Sequence, residues 1–221
     1  MKNTVNAINE VLAVMARLRA PDGCPWDREQ DHRTLRRHAV EEVYELIDAI
    51  EAGDDHEMVE ELGDLLMQIV FHCQMAKERG AFDFETVCRT LADKLIHRHP
   101  HVFGPKPLKT AAAVLAQWDQ LKHAEKQGTR HERPSALDGI PKHLPALLRA
   151  EKLVKQARKA KLIPEKRTAR QRLTRSAAAR QLFEIVRDAQ ARGWSAEELL
   201  VAETRRRETA WRRREATRRP H

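Results

Sequence analysis

The sequence predicts an all-α protein, and three observations predict it. Apolar residues recur every three to four positions in long windows, as along Val5, Ile8, Val11, Leu12, Met15 and Leu18, which is the period of one helix face. Clean apolar–polar alternation, the mark of a half-buried strand, is hard to find, and the 221 residues include only 8 Gly and 1 Tyr. Helix stops and N-caps separate the periodic windows, as in Ala52-Gly53-Asp54-Asp55. Hydrophobic residues make up 41% and charged residues 33%, so a core is affordable beneath a heavily charged surface. The length suits one domain plus an appendage.

The first helix is expected from Thr4 to Leu18, as a bundle wall. Arg19 to Asp27 is turn-rich, and its Trp26 either stacks on a base or plugs the end of the bundle; its local setting favours the plug. A second helix is expected from Thr34 to Ala52 and a third from Asp55 to Arg79, ended by Gly80. Asp83 caps a fourth, from Phe84 to His99. A helix over Ala111 to Glu125 carries the stripe Val114, Leu115, Trp118 and Leu121. Arg130 to Pro145 is punctuated by Pro and Gly and reads as connecting chain. A basic helix over Leu144 to Lys161 follows, then a pair over Ala177 to Arg192 and Ser195 to Arg214, ending in dense arginine. The expected organisation is a domain over 1–128, a linker over 129–145 and an Arg-rich helical region over 146–221.

No apolar run approaches the roughly 20 residues needed to span a bilayer, and the first residues contain an acid and no cleavage site. The expected address is cytoplasmic, with no membrane contact. The 3 Cys residues form no CxxC, and an odd number argues against a disulfide framework. Cys73 and Cys88 fall on apolar helical positions and read as core fillers. A net charge of +8, with the excess towards the C-terminal end, suits a polyanion partner, nucleotide or nucleic acid.

The chemistry concentrates between Val40 and Gln74. Acids there interrupt the apolar pattern. Glu41, Glu42 and Glu45 stand among Val40, Val43, Tyr44, Leu46 and Ile47, and Glu61 and Asp64 among Val59, Leu62, Leu65, Leu66 and Ile69. Glu42 with Glu45, and Glu61 with Asp64, are i, i+3 pairs that share a helix face. The short Gly53–Asp55 link makes the two helices antiparallel neighbours, so four carboxylates meet across one seam. Such acids repel unless a cation sits among them, and an all-oxygen set suits Mg²⁺, with Mn²⁺ as the alternative. A solvated acidic face is the competing reading. Gly63, at a helix position where Gly costs about 1 kcal/mol relative to Ala, favours a close neighbour or ligand. Lys94 and Arg98, four residues apart, share a face and can hold phosphates; a solvated basic helix end is the alternative. His97, His99 and His101 straddle Pro100 and lack a Cys pair, which argues against zinc.

Other chemistries lack their motifs. There is no GxxxxGK[ST], GxGxxG, HExxH, His-Asp dipeptide or DxDxDG. The one ExxH, Glu29 to His32, lies outside the acidic pairs, against a ferritin-like site. What remains suits metal-assisted attack of water on a phosphoanhydride, with Glu41 or Glu45 free to act as base.

At these residues the chain resembles the MazG family of nucleoside triphosphate pyrophosphohydrolases. The family pattern EExxE, spacer, ExxD appears as Glu41-Glu42-Val-Tyr-Glu45 and Glu61-Leu-Gly-Asp64. The flanking text is similar as well: GCPWDREQ, FDFETV, DKLIHRHPHVFG, AQWDQLK and SALDGIPKHLPALLRAEK, together covering about Val5 to Lys155. The resemblance implies an all-α, homodimeric, Mg²⁺-dependent enzyme that splits NTPs between the α and β phosphates. It implies metal ligands at Glu42, Glu45, Glu61 and Asp64, and an accessory acid at Glu41. It implies phosphate contacts at Lys94 and Arg98 and an aromatic near the nucleotide at Trp118. His38 falls where some family domains place a substrate-contacting Lys. Residues 180–200 resemble the end of a second such module, with Ala177 and Arg180 where its ExxD would stand. That region is therefore expected to be a remnant without a metal site. The competing classes are weak nucleic-acid binding through Arg206, Arg207, Arg213 and Arg214, whose competing reading is a solvated basic face, and a nucleotide sensor that does not cleave.

Overall fold

The computed structural model describes residues 6–105, 107, 108, 110–130, 132–163 and 174–217, and among these every regular element is a helix. In chain order they are α1 (Ala7–Leu18), α2 (Pro25–Glu29), α3 (Arg36–Ala52), α4 (Asp55–Glu78), α5 (Phe84–Arg98), α6 (Pro100–Phe103), α7 (Ala111–Ala124), α8 (Ala146–Lys159), α9 (Arg175–Ala191) and α10 (Ala196–Ala216). The expected start of the first helix, Thr4, lies outside the described residues; Asn6 caps α1 by accepting from the Ile8 N–H. A short helix, α2, forms at the end of the stretch expected to be turn-rich, and another, α6, follows the fourth expected helix. Each opens on a proline at its first position, whose fixed φ suits a helix start. No helix is long and apolar enough to cross a membrane among the described residues.

The chain divides into two compact units, Met1–Val114 and Leu115–His221. In the first, α4 is the axis, packed against α1, α3 and α5. Gly53 creates the α3–α4 hairpin. It sits at φ +66°, a left-handed conformation that glycine adopts without steric cost. The Asp54 N–H reaches back to the Ala49 carbonyl at 3.1 Å. The Asp54 carboxylate then accepts from the His56 and Glu57 N–H groups and starts α4. The core beneath is Met15, Leu35, Val70, Phe71 and Met75, with Leu12, Leu66 and Phe84 against it. Cys73 is buried, as expected, but Cys88 is exposed: its position on α5 faces away from this core.

Arg19 ties the α1–α3 connection to the end of α4. Its guanidinium donates to Glu78 from Nε at 2.8 Å and Nη2 at 2.7 Å, and to the Asp27 and Gln30 carbonyls from Nη1. It also lies over the Phe71 ring. The bond to Arg19 is the largest influence holding the Glu78 pKa below the ordinary carboxylate value.

In the second unit α10 packs against α8 and α9. Its core is Leu137, Leu153, Ala157, Leu162 and Trp211. The irregular chain before α8 thus inserts Leu137, which is 1% exposed, into that core. The arginines of α10 are extensively paired within the chain. Arg206 and Arg207 meet Glu203 at 2.7 and 2.6 Å, which pulls the Glu203 pKa to about 2. Arg212 meets Glu208 and Asp138, each at 2.7 Å.

Arg19→Ala should cost about 2 kcal/mol in urea unfolding at pH 7, because it removes several charge-assisted bonds from a largely buried guanidinium. A carboxylate with a depressed folded pKa stabilises above its unfolded pKa and loses that contribution as pH falls through the folded value. The variant's deficit should therefore be full at neutral pH and shrink below about pH 4.

Candidate metal centre on the α3–α4 hairpin

The hairpin sets α3 beside α4, so that acids 16 to 19 residues apart in sequence meet. One carboxylate oxygen from each of Glu42, Glu45 and Glu61 lies within 4.8 Å of the other two. Asp64, one turn beyond Glu61, is outside that close group, yet after burial it is the largest influence raising the Glu42 pKa. The Glu61 pKa is also raised, first by burial and then by the charges of Glu45, Asp64 and Glu42. Glu61 Oε2 is shut off from solvent without a hydrogen-bond partner. The donor set fits a divalent cation: three converging carboxylates, one with an orphaned oxygen, all oxygen and no sulfur. The strongest charges acting on Glu42 and Glu61 are other carboxylates, and neither Lys94 nor Arg98 is among them. Lys94 is exposed on α5, and Arg98 is half-buried near the end of that helix.

Three contacts were not foreseen from the sequence. Gln68, 5% exposed, donates from Nε2 to Glu42 Oε1 at 3.3 Å. The signal was present in its spacing, four residues after Asp64 and seven after Glu61, which places all three on one helix face. One turn further, His72 Nδ1 stands 2.8 Å from His32 Nδ1 with the rings stacked, and burial and the neighbouring ring lower the His72 pKa. Glu41 is outside the carboxylate group and meets His38 Nδ1 at 3.2 Å.

One expectation needs correction. Trp26 does not plug the bundle: α2 holds it at the surface, 53% exposed, with its ring edge-on to His38 at 6.1 Å. Gly63 has no close neighbour within the chain, since a Cβ there would meet nothing within 4 Å. Trp118, on α7, carries Lys122 Nζ 4.3 Å from its ring centroid and has a buried, unpartnered Nε1.

The family model of the MazG nucleotide pyrophosphohydrolase domain matches residues 30–103. The nucleoside triphosphate pyrophosphohydrolase of Escherichia coli K12 is 48% identical over 154 residues, covering 69% of this chain and 57% of that protein. The nucleoside triphosphate pyrophosphohydrolase/pyrophosphatase MazG of Thermotoga maritima is 44% identical over 157 residues, 71% of this chain and 59% of that one. The chain carries a MazG domain. In Mycobacterium tuberculosis a nucleoside triphosphate pyrophosphohydrolase is 37% identical over 72% of this chain and 49% of its own length. The chain thus spans less than two thirds of these relatives. The MazG match encloses His38, the acidic cluster, Lys94 and Arg98; Trp118 lies beyond it.

A carboxylate whose folded pKa is raised destabilises the fold above that value, and stability recovers as pH falls towards the unfolded pKa. Glu42→Gln should therefore be more stable than the parent protein in EDTA at pH 7. The gain over the parent protein should vanish on acidification towards pH 4. Thermal unfolding across pH, without divalent ions, measures both.

Proposed function

We propose that the MazG domain hydrolyses nucleoside triphosphates between the α and β phosphates, releasing a nucleoside monophosphate and pyrophosphate. The convergence of Glu42, Glu45 and Glu61 with an orphaned Glu61 oxygen carries this reading, and the names of the relatives support it. In this reading these acids, with Asp64, hold Mg²⁺ or Mn²⁺. When bound, the ion neutralises phosphate charge and makes water a better nucleophile. Gln68 fixes the Glu42 carboxylate through the Nε2 bond. Glu41 is outside the close group and is available, as is Glu45, to take the proton of the attacking water. The water oxygen attacks the α phosphorus, and the α–β bridging oxygen leaves with pyrophosphate, in line. Lys94 and Arg98 bind the outer phosphates and His38 contacts the substrate; Trp118 is the aromatic that the family resemblance assigns to the nucleotide.

The working form in this reading is a homodimer. Val40, Val43, Ile47 and Ile50 on α3, and Val59 and Leu62 on α4, are all at least 43% exposed, and a second copy is the occupant that would cover them. The second unit is a module remnant, with Ala177 and Arg180 on α9 at the positions where acids would stand. Nucleic-acid binding has less support, because Arg206 and Arg207 are already paired with Glu203. Retention of RNA at physiological salt, falling steeply as salt rises, would restore it.

Incubation with Mg²⁺ and each NTP or dNTP should yield NMP and pyrophosphate. NDP with phosphate would overturn the bond assignment, and absence of product would favour a sensor. Glu42→Gln and Asp64→Asn, folded by circular dichroism, should each lose at least about a hundredfold in turnover.

A further inference from the structure

The second unit holds a basic hollow that the proposed chemistry leaves unused. Its volume is about 530 Å³, and its lining includes Lys142, Arg149, Arg205 and Arg212 with two acids, Asp138 and Glu208. Both acids are already committed. Glu208 receives Arg149 through one oxygen and Arg212 through the other, and Asp138 receives Arg212. Four cations therefore face two acids, and the hollow keeps an excess of two positive charges.

Arg149 supplies the second observation. It is 6% exposed, and although its Nη2 donates to Glu208, its Nε and Nη1 are buried without an acceptor. Unmet donors on a buried charge are costly and are satisfied in most native proteins. A clamp between α8 and α10 accounts for the Arg149–Glu208 pair, but not for the two idle donors. Nor does it account for Arg205 and Lys142 lining the same space. Ordered water supplies acceptors without balancing charge, whereas an oxyanion does both. Guanidinium groups are particularly suited to phosphate oxygens.

We infer that this hollow binds an anion of the phosphate class, with Arg149 Nε and Nη1 as donors and Arg205 and Lys142 supplying further positive charge. The space is large enough for a free phosphate, a pyrophosphate or the phosphate end of a nucleotide. The site stands whether or not the MazG domain hydrolyses triphosphates.

Calorimetric titration of the full chain tests it at fixed ionic strength, with EDTA present so that no divalent ion links phosphate to the acidic hairpin. The probes are inorganic phosphate, pyrophosphate and adenosine monophosphate. At least one should bind saturably. Arg205→Gln and Lys142→Gln, which remove neither a core side chain nor a partner of the Arg149–Glu208–Arg212 network, should each weaken binding about tenfold. Arg149→Gln, checked for retained helicity, should abolish it. Binding of phosphate and pyrophosphate as well as the monophosphate identifies the free ion as sufficient; binding of the monophosphate alone identifies a nucleotide. No saturable binding of any probe, or the same affinity in Arg205→Gln and Lys142→Gln as in the parent, overturns the site.

Discussion

Repulsion among carboxylates is the constraint on which the first unit turns. Left to themselves, Glu42, Glu45 and Glu61 would separate, because like charges repel, and burial further disfavours the ionised forms of Glu42 and Glu61. They stay together because the helices that carry them are joined by a link that admits little movement. Gly53 reverses the chain, Asp54 starts the next helix, and Val70 and Phe71 anchor α4 in the core. The scaffold thus keeps an unfavourable arrangement in place, at some cost to the stability of the fold.

Much of this was legible in the sequence, for local reasons. The 3.6-residue period located the helices, and Gly53, Asp54, Gly80 and Asp83 marked ends that the structure reproduces within a few residues. The i, i+3 spacing was enough to place the acids on shared faces. Interactions between distant residues were less legible. Arg19 meets Glu78 across 59 positions, and nothing in the local pattern of either residue points to the other. Trp26 reads as a plug because large aromatics are usually buried; its exposure follows from a one-turn helix whose backbone Arg19 holds. Gln68 could have been found by extending the acidic face of α4 one further turn.

The second unit shows a different use of charge. Its sequence reads as a basic surface, but Glu203, Glu208 and Asp138 draw several arginines into contacts within the fold. Arg149 is 6% exposed and pairs with Glu208. Net charge therefore overstates the positive surface offered to a long polyanion. A local excess of two positive charges remains in a recess of small-molecule size.

Gly63 gives the hairpin a bare flank. A methyl group there would touch nothing in the chain and would gain about 1 kcal/mol of helix propensity, so packing within a lone copy gives no reason for glycine. Glycine at this position therefore lowers the helix propensity of α4 with no compensating contact inside the chain. A selection for the most thermostable isolated chain would replace this glycine early.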